Sequence, residues 1–404
     1  MSEAGRGWLR ERRAEDADKV DFPELFFDLV FVISILQVSH RLATHYDALG
    51  FAETLLIMLA LWWVWIFTTW VTNWLDPDKL PVRLMLFALT FLGLLLASAV
   101  GKAFDEKALL FAGAYVTMQV GRSLFALYAF HGHSPDEFSH FRRVTIWLVA
   151  SAILWIAGAL LGGHIQLMLW IAAIGIEYAA PAAGFRVPGL GRSEGDDWDV
   201  LGAHMAERCA LFVIICLGET ILVTGRTLSD MPMEPLTFLL ASTAFLTTAL
   251  MWWIYFHFGH DRAAEEIETA REPGEAARTI FTYAHIPIVV AIILSAVGEE
   301  FVLSHPTGET ELKTASALIG APAIFLLGNV WIKRAATGRI PPSHLIGLAL
   351  LVLAIPMSLV LQPYALFVLA MAILAVTAAC EVYFLRRALA HLRGKETEKQ
   401  DGEG

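Results

Sequence analysis

Long apolar runs, separated by short polar stretches, occupy most of this chain of 404 residues. A helix needs about 20 mostly apolar residues to cross a bilayer, and twelve runs approach or reach that length. The runs lack the period-two alternation of a membrane β-barrel, so helices must pair the backbone groups in lipid. The pattern predicts an all-α, polytopic membrane helical bundle. The predicted spans are residues 22–42, 51–74, 83–101, 108–130, 143–162, 164–183, 203–225, 236–259, 280–303, 313–335, 343–361 and 363–385.

The two halves of the chain are similar to each other. Ser98–Phe104 (SAVGKAF) and Ser295–Phe301 (SAVGEEF) share five of seven residues. Each half holds six spans, and an even number makes both halves enter the membrane from the same side. We therefore predict two parallel six-helix repeats, residues 22–183 and 203–385, related by an axis along the membrane normal as in many transporters. The Gly- and Pro-rich stretch 184–202 is interpreted as a linker.

Composition excludes a soluble protein, because 57% of the residues are hydrophobic and the mean hydropathy is +0.59. Lys and Arg set membrane orientation, and 22 of the 29 fall on the side of the N-terminus. This bias predicts that the arm 1–21 and the tail 386–404 are both cytoplasmic. The arm lacks the pattern of a cleavable signal peptide. The polar end of the tail is expected to be disordered.

Charged residues inside the runs are the candidates for function. A charge at the bilayer centre costs about 2.5–3.5 kcal/mol even on lenient scales, so such residues face the bundle interior and mark pathways or relays. The candidates for ion or proton coupling are Glu24, Asp28, Glu207 and Glu219. Their candidate charge partners are Arg122 and Arg208. The secondary candidates are Glu177, His257, His285 and Glu381.

Glu24 and Asp28 are four residues apart and share one face of the first predicted helix. Two close acids in a low dielectric suit a proton or cation site. Two alternatives stay open. Glu24 follows Pro23 and could serve the helix dipole, and the acids and arginines could only neutralise each other to hold spans together. We expect Glu24, Asp28, Arg122, Glu207 and Arg208 to meet in one buried cluster, because all five are placed at one depth.

Glu219 lies eleven residues after Arg208, about 16 Å along a helix axis. The two cannot pair, so Glu219 needs another partner or water; a kink near Gly218 is the structural alternative. His257–Asp261 (HFGHD) supplies too few ligands for a metal site, and interfacial packing accounts for it. No cofactor and no nucleic-acid partner is expected, since neither a phosphate-binding loop nor a CxxC motif occurs.

Four segments carry a family resemblance: Val20–Val32 (VDFPELFFDLVFV), Trp62–Trp65 (WWVW), His204–Leu222 (HMAERCALFVIICLGETIL) and Tyr283–Glu300 (YAHIPIVVAIILSAVGEE). Over roughly residues 20–390 the chain resembles the bacterial low-temperature-requirement A (LtrA) family. The resemblance implies a multipass protein of the bacterial cytoplasmic membrane and does not specify an activity. The motif residues are then Glu24, Asp28, Glu207, Arg208, Glu219 and His285.

A fainter likeness joins the chain to two-repeat endolysosomal potassium channels, which carry Phe-Ser-Asp on the first span of each repeat. This chain has Phe26, Phe27 and Asp28 in the first repeat but Leu211 at the aligned position of the second. Major facilitators also have six plus six spans, but their loop signature is incomplete in Asn73–Arg83. Direct transfer of either function is therefore not supported.

The sequence leaves three classes of function open. The leading interpretation is a channel or secondary transporter for a small ion or solute, proton-coupled through the acids of the first and seventh spans. The second is a membrane-embedded enzyme that acts on a lipid-soluble substrate with the same carboxylates as acid or base. The third is a structural or signalling protein without flux. The lipid bilayer is a partner in each case, and the oligomeric state stays open.

Overall fold

The structure, a computed structural model, describes residues 6–10, 19–193, 200–230, 232, 234–257 and 273–402. Regular secondary structure in these residues is helical, which confirms the predicted fold class. The long helices of the described residues are α1 (Phe22–Thr44), α2 (Ala48–Trp74), α3 (Leu80–Ala99), α4 (Ala108–Phe130), α5 (Pro135–Leu161), α6 (Gly163–Ala182), α7 (Gly202–Asp230), α8 (Pro235–Phe256), α9 (Ile286–Ser304), α10 (Leu312–Thr337), α11 (Pro342–Ala354) and α12 (Pro363–Gly402). The shorter elements are 3-10 turns at Arg6–Trp8, Val100–Lys102 and Ile355–Leu359, a short helix at Pro273–Ala277 and a π-helix at Arg278–Tyr283.

Each of the twelve predicted spans corresponds to one of these helices. Within the described residues, eleven spans are long and apolar enough to cross a membrane, and α4 alone of the twelve is not among them. Helix α4 has 23 residues, but Gln119 and Arg122 interrupt its apolar sequence. Large apolar side chains such as Leu160 (68% exposed) and Met168 (69% exposed) lie on the outside of the bundle, where lipid would contact them.

The two halves pair their helices in the same order. In the first half, α1 packs on α2 and α3, α2 on α4 and α6, and α3, α4, α5 and α6 pack in sequence. In the second half, α7 packs on α8 and α9, α8 on α10 and α12, and α9 to α12 again pack in sequence. This pairing agrees with a repeat; the superposition of residues 22–183 on 203–385 stays a prediction.

The centre of the bundle is formed where the halves meet. Helices α1 and α2 of the first half contact α7 and α9 of the second. Helix α2 and the span Gly274–Ser304, which includes α9, are the most enclosed of the described spans, with 83% and 78% of their apolar windows buried. Trp62 and Trp65 of α2 are buried there against Phe212 of α7. Large aromatic side chains thus fill the space between the halves.

The start of α1 is fixed by a capping box. The backbone N–H of Asp21 donates to Glu24 Oε2 at 3.0 Å, and Pro23 lies in the first turn, where its missing N–H has no partner to lose. The π-helix before α9 is held by two α2 side chains. Trp62 Nε1 donates to Thr282 O at 2.8 Å and Trp70 Nε1 donates to Thr282 Oγ1 at 3.0 Å.

The connections after α6 and after α8 lie partly outside the residues that the structure describes. Residues 194–199 of the predicted linker, residues 258–261 of the HFGHD motif and residues 265–272 of the long eighth connection lie outside the described residues.

Helix α12 continues to Gly402, so the expectation of a disordered tail is wrong for the described part of it. Lys and Glu dominate this extension, and both residues favour helix.

Candidate ion-coupling site

Helices α1 and α7 run parallel, side by side, and their polar contacts keep a constant offset of 180 residues. Glu24 contacts His204, Asp28 contacts Arg208, and Ser39 contacts Glu219. We call this contact the α1–α7 seam. The N-terminal cluster comprises Glu24, Asp28, His204 and Arg208. The C-terminal cluster comprises Ser39, Glu219, Thr224, Ser295 and Glu299.

Asp28 and Arg208 form a two-pronged ion pair inside the bundle. Arg208 Nη1 donates to Asp28 Oδ2 at 2.6 Å, and Nη2 donates to Oδ1 at 2.9 Å. Trp65 Nε1 donates to the same Oδ1 at 2.8 Å, and the guanidinium lies 5.5 Å from the Trp65 ring centroid. Both charged side chains are at most 1% exposed. Two parallel charge-assisted hydrogen bonds fix the relative position of α1 and α7 at this level.

Glu24 lies one turn nearer the start of α1 and contacts His204. Asn73 exchanges two hydrogen bonds with the backbone of Leu201, its Nδ2 donating to the carbonyl and its Oδ1 accepting from the N–H, both at 3.1 Å. This pairing orients the Asn73 amide, so its Nδ2 also donates to His204 Nδ1 at 3.2 Å. His204 then carries its proton on Nε2, which donates to Glu24 Oε1 at 3.1 Å.

A second arginine reaches the N-terminal cluster from the segment before α1. Arg10 Nη2 lies 3.0 Å from Asp21 Oδ2 and 3.5 Å from Glu24 Oε2, and its Nε donates to Thr72 O at 3.2 Å. Arg208 Nε lies 3.8 Å from Glu24 Oε1. Two guanidinium groups therefore face Glu24 and Asp28. The charges at this end of the seam compensate each other.

The structure brings Glu24, Asp28 and Arg208 together, as expected, but Glu207 and Arg122 lie elsewhere. Glu207 is half-buried at the rim and accepts a hydrogen bond from the backbone N–H of Val20 at 3.2 Å. Arg122 is on the far side of α2. The prediction relied on a shared depth, and a shared depth does not place residues at one angle around the bundle.

Arg122 and Glu177 are linked through two neutral side chains. Arg122 donates to Val64 O and Thr68 Oγ1, both at 3.0 Å, and to Gln119 Oε1. Gln119 donates to the hydroxyl of Tyr115 at 3.1 Å, and that hydroxyl donates to Glu177 Oε2. This series of hydrogen bonds crosses from α2 through α4 to α6. It ties three helices of the first half together.

The remaining donors to Glu177 come from α5. Ser151 Oγ donates to Glu177 Oε1 at 2.6 Å and Trp155 Nε1 donates to it at 3.1 Å. With Tyr115, three donors surround this carboxylate, which is 2% exposed. The hydrogen bonds of Glu177 are thus satisfied within the first half, and this arrangement favours a structural role.

Glu381 has a comparable place in the second half, with a partner that sequence reasoning missed. Lys333 of α10 donates to Glu381 Oε1, and its Nζ lies 3.4 Å from His344 Nε2 of α11. All three side chains are buried. Lys333 lies two residues before the end of the predicted span 313–335 and was not among the candidates. The sequence did contain an indication of this pair: Lys333 lies near the end of one apolar helix, and Glu381 lies within another.

The two secondary histidines occupy different environments. His285 is buried at the end of the π-helix, where Nδ1 donates to Ile280 O at 2.8 Å and Nε2 accepts from Tyr255 Oη at 2.8 Å. His257 is exposed at the end of α8 and stacks on Trp253 with ring centroids 4.8 Å apart. Within the described residues no group of three or more His, Cys, Asp or Glu could hold a metal ion.

An aromatic layer separates the two clusters along the seam. The Phe212 ring of α7 lies 5.8 Å from that of Phe31, 5.5 Å from Trp62 and 4.3 Å from Trp65, measured between centroids. All four side chains are at most 1% exposed. This aromatic layer closes the seam between its polar ends.

Beyond the aromatic layer, α7 contacts α1 through Glu219 and α9 through Thr224. Ser39 Oγ donates to Glu219 Oε1 at 3.0 Å, which supplies the partner that sequence reasoning required. Glu299, which the sequence candidates did not include, is fully buried beside α7 and accepts from Thr224 Oγ1 at 3.1 Å. The sequence feature that could have identified Glu299 is its position within an apolar helix, five residues before the end of α9.

Comparison with known proteins agrees with this architecture. The profile of the family described as "Bacterial low temperature requirement A protein (LtrA)" matches residues 19–379. The chain is 45% identical to "Uncharacterized protein RA0937" of Rhizobium meliloti (strain 1021) over 394 residues, which cover 97% of this chain and 95% of that protein. No solved structure matches the chain. Because the family match spans nearly all twelve helices, the chain belongs to the bacterial low-temperature-requirement A family.

Proposed function

We propose that this protein is a channel or secondary transporter for a small ion or solute, with its pathway along the α1–α7 seam. The observation that carries the proposal is the placement of buried carboxylates at both ends of one continuous helix pair. Glu24 and Asp28 lie at one end and Glu219 at the other. Ionisable side chains inside a membrane bundle are costly, and pathways and proton relays are their usual reason.

The aromatic layer favours a gated pathway over an open pore. Phe31, Trp62, Trp65 and Phe212 fill the seam, so an ion that passes must displace these side chains. A secondary transporter opens its two sides alternately around a central site, and a gated channel opens one constriction. Proton coupling through Glu24, Asp28, Glu207 and Glu219 forms part of the proposal, as does a location in the bacterial cytoplasmic membrane with both termini cytoplasmic.

The enzyme alternative requires a cavity that holds its acid and base. The structure has a small pocket lined by Phe67, Trp70, Trp74, His140, Phe141, Val144, Pro181, Phe185, Arg278 and Thr282. None of these lining residues is a carboxylic acid. The candidate carboxylates of the seam therefore do not line this pocket. The pocket gives no support to acid–base catalysis by these carboxylates or to the enzyme class.

Flux measurements on reconstituted protein test the proposal. Wild-type protein in liposomes with an imposed pH gradient should transport a cation or solute from a broad panel. Asp28→Asn should abolish the pH dependence of flux, because Asn cannot titrate. Glu24→Gln should have a similar or milder effect, since Glu24 also caps α1. Leu211→Ala is the control, because the second repeat has no acid at that position.

A charge-neutral double variant separates coupling from structure. Asp28→Asn alone leaves the Arg208 guanidinium without its main partner, so lost flux could follow from misfolding. In Asp28→Asn/Arg208→Gln both charges are absent. If Asp28 couples protons, the double variant should fold by size exclusion and still lack pH-dependent flux. Restored pH-dependent flux would refute coupling through Asp28, and absence of wild-type flux across the panel would refute the transport proposal.

A further inference from the structure

The C-terminal cluster contains two buried acids whose only hydrogen-bond partners are hydroxyl groups, among the residues that the structure describes. Glu219 is 1% exposed and Glu299 is 0% exposed. Ser39 Oγ donates to Glu219 Oε1 at 3.0 Å. Thr224 Oγ1 donates to Glu299 Oε2 at 3.1 Å, and Ser295 Oγ donates to Glu299 Oε1 at 3.3 Å. This differs from the N-terminal cluster, where guanidinium groups face each acid.

One carboxylate oxygen of the cluster has no partner. Glu219 Oε2 is enclosed by protein and makes no hydrogen bond within the described part of the chain. A buried acceptor left without a donor is unfavourable, and such groups call for a bound water, ion or other ligand. The unpaired oxygen therefore points to a ligand that the carboxylate can bind.

The charges around Glu219 leave this end of the seam negative. Among the described residues, Arg226 and Glu300 act electrostatically on Glu219, and Glu219 acts on Glu299. Arg226 is exposed and Glu300 is half-buried, so these two offset each other near the surface. No basic side chain forms an ion pair with either buried acid among the described residues. A cation would compensate the buried charge.

The available ligands are all oxygen atoms. The two carboxylates and the hydroxyls of Ser39, Thr224 and Ser295 offer hard donors, which Na⁺ and Ca²⁺ prefer. None of the five is His or Cys, the ligands that transition metals favour. This donor set selects a hard cation over a transition metal.

The cluster is close to the face of the bundle opposite the N-terminus. Ser39 and Glu299 each lie five residues before the ends of α1 and α9, about 8 Å along the axis. Ser295 also lines a small cavity together with Thr247, between α8, α9, α10 and α12. The cluster therefore lies on the side of the aromatic layer that is opposite the N-terminus.

We propose that Ser39, Glu219, Thr224, Ser295 and Glu299 form a binding site for a small hard metal cation, of the alkali or alkaline-earth type. The inference rests on the proposed function in one respect, because the bound cation would be the coupling ion of the same α1–α7 seam. Binding itself requires no transport.

Equilibrium binding to the detergent-purified full-length protein tests the site. Radioactive sodium or calcium, titrated against excess choline, should bind wild-type protein saturably. Glu219→Gln and Glu299→Gln should each reduce binding to background. Ser39→Ala removes one hydroxyl and should weaken binding about tenfold. Glu300→Gln is the matched control and should bind as wild type, because this neighbour of Glu299 contributes no ligand.

Folding is checked by size exclusion and by melting temperature with and without the cation. Ser39→Ala keeps both acids, so it remains informative if a Glu variant fails to fold. Absence of saturable binding of either cation to wild-type protein would overturn the site. Binding that survives unchanged in Glu219→Gln, Glu299→Gln and Ser39→Ala would also overturn it. Flux without binding would refute the site and leave transport standing; binding without flux would refute transport and leave the site.

Discussion

The Asp28–Arg208 pair provides the sharpest test of how the two halves are joined. Each residue belongs to a different half, and the two-pronged contact is buried between α1 and α7. Breaking a buried pair by removing one partner leaves a charge that neither water nor protein compensates. We expect Asp28→Asn and Arg208→Gln each to destabilise the protein strongly, and the double variant to recover most of the loss.

The remaining contacts decide which single change costs more. Without the Asp28 charge, Arg208 keeps Glu24 at 3.8 Å and the ring of Trp65 at 5.5 Å. Without Arg208, Asp28 keeps only the Trp65 N–H among its side-chain donors in the described residues. Breaking a buried pair costs about 3–5 kcal/mol. We therefore expect about 3 kcal/mol for Asp28→Asn and about 5 kcal/mol for Arg208→Gln.

Equilibrium unfolding in detergent micelles, followed by tryptophan fluorescence, would measure the three free energies. If the two effects were independent, the double variant would lose about 8 kcal/mol; a loss of about 2–3 kcal/mol instead gives a coupling energy of about 5 kcal/mol. The control is Lys102→Gln, which breaks an ion pair of similar length, 2.7 Å, between exposed side chains. Its stability should match wild type within error, because exposed pairs contribute little.

Additive effects would refute the reasoning. If the double variant loses the sum of the two single losses, Asp28 and Arg208 do not stabilise each other, and the seam is held by other contacts. Single variants as stable as Lys102→Gln would show that water reaches the pair. Either result would also remove the reason to compare single and double variants in the flux assay.

Three further predictions concern packing, the Asn73 network and orientation. A Cβ at Gly347 would overlap Thr377 Oγ1 and lie 2.8 Å from Leu326 Cδ1, whereas a Cβ at Gly113 would have none of the described neighbours within 4 Å. Gly347→Ala should therefore lower the free energy of unfolding by about 1–3 kcal/mol. Gly113→Ala is the control and should not destabilise the protein. Asn73→Ala should lower the melting temperature and cost about 2 kcal/mol, because the Leu201 N–H and carbonyl and the His204 ring lose their partner; wild-type stability would contradict the network. Both termini should be labelled by impermeant cysteine reagents only after the membrane is opened, and labelling of either from outside intact cells would refute the predicted orientation.

Helix number and order could be read from the sequence because lipid imposes a length rule. Boundaries were less certain where a helix continues past its apolar run. Helix α5 begins at Pro135, eight residues before the predicted 143, since its first turn carries Asp136 and Glu137 and emerges from the apolar region. Acidic residues near a helix N-terminus are favourable, but hydropathy alone does not register them.

The site was predictable in its charges but not in its neutral partners. Glu24, Asp28 and Arg208 were found because charges inside apolar runs are unusual. Trp65 and Asn73 gave no comparable signal, since a tryptophan or an asparagine in a helix has many ordinary uses. Their roles come from the angles at which α1, α2 and α7 meet, and those angles are set by tertiary packing that a single sequence does not encode in any local pattern.

The constant offset of the seam limits how its two ends can communicate. The contacts at Asp28–Arg208 and Ser39–Glu219 have the same offset of 180 residues, about 16 Å apart along the axis. Sliding α1 past α7 by one turn, about 5.4 Å, would break both contacts at once and force Phe31 past Phe212. A tilt of one helix about the aromatic layer would instead open one end while the other stays closed. If the seam is the pathway, the ion pair at one end and the acid–hydroxyl cluster at the other are therefore expected to open in turn.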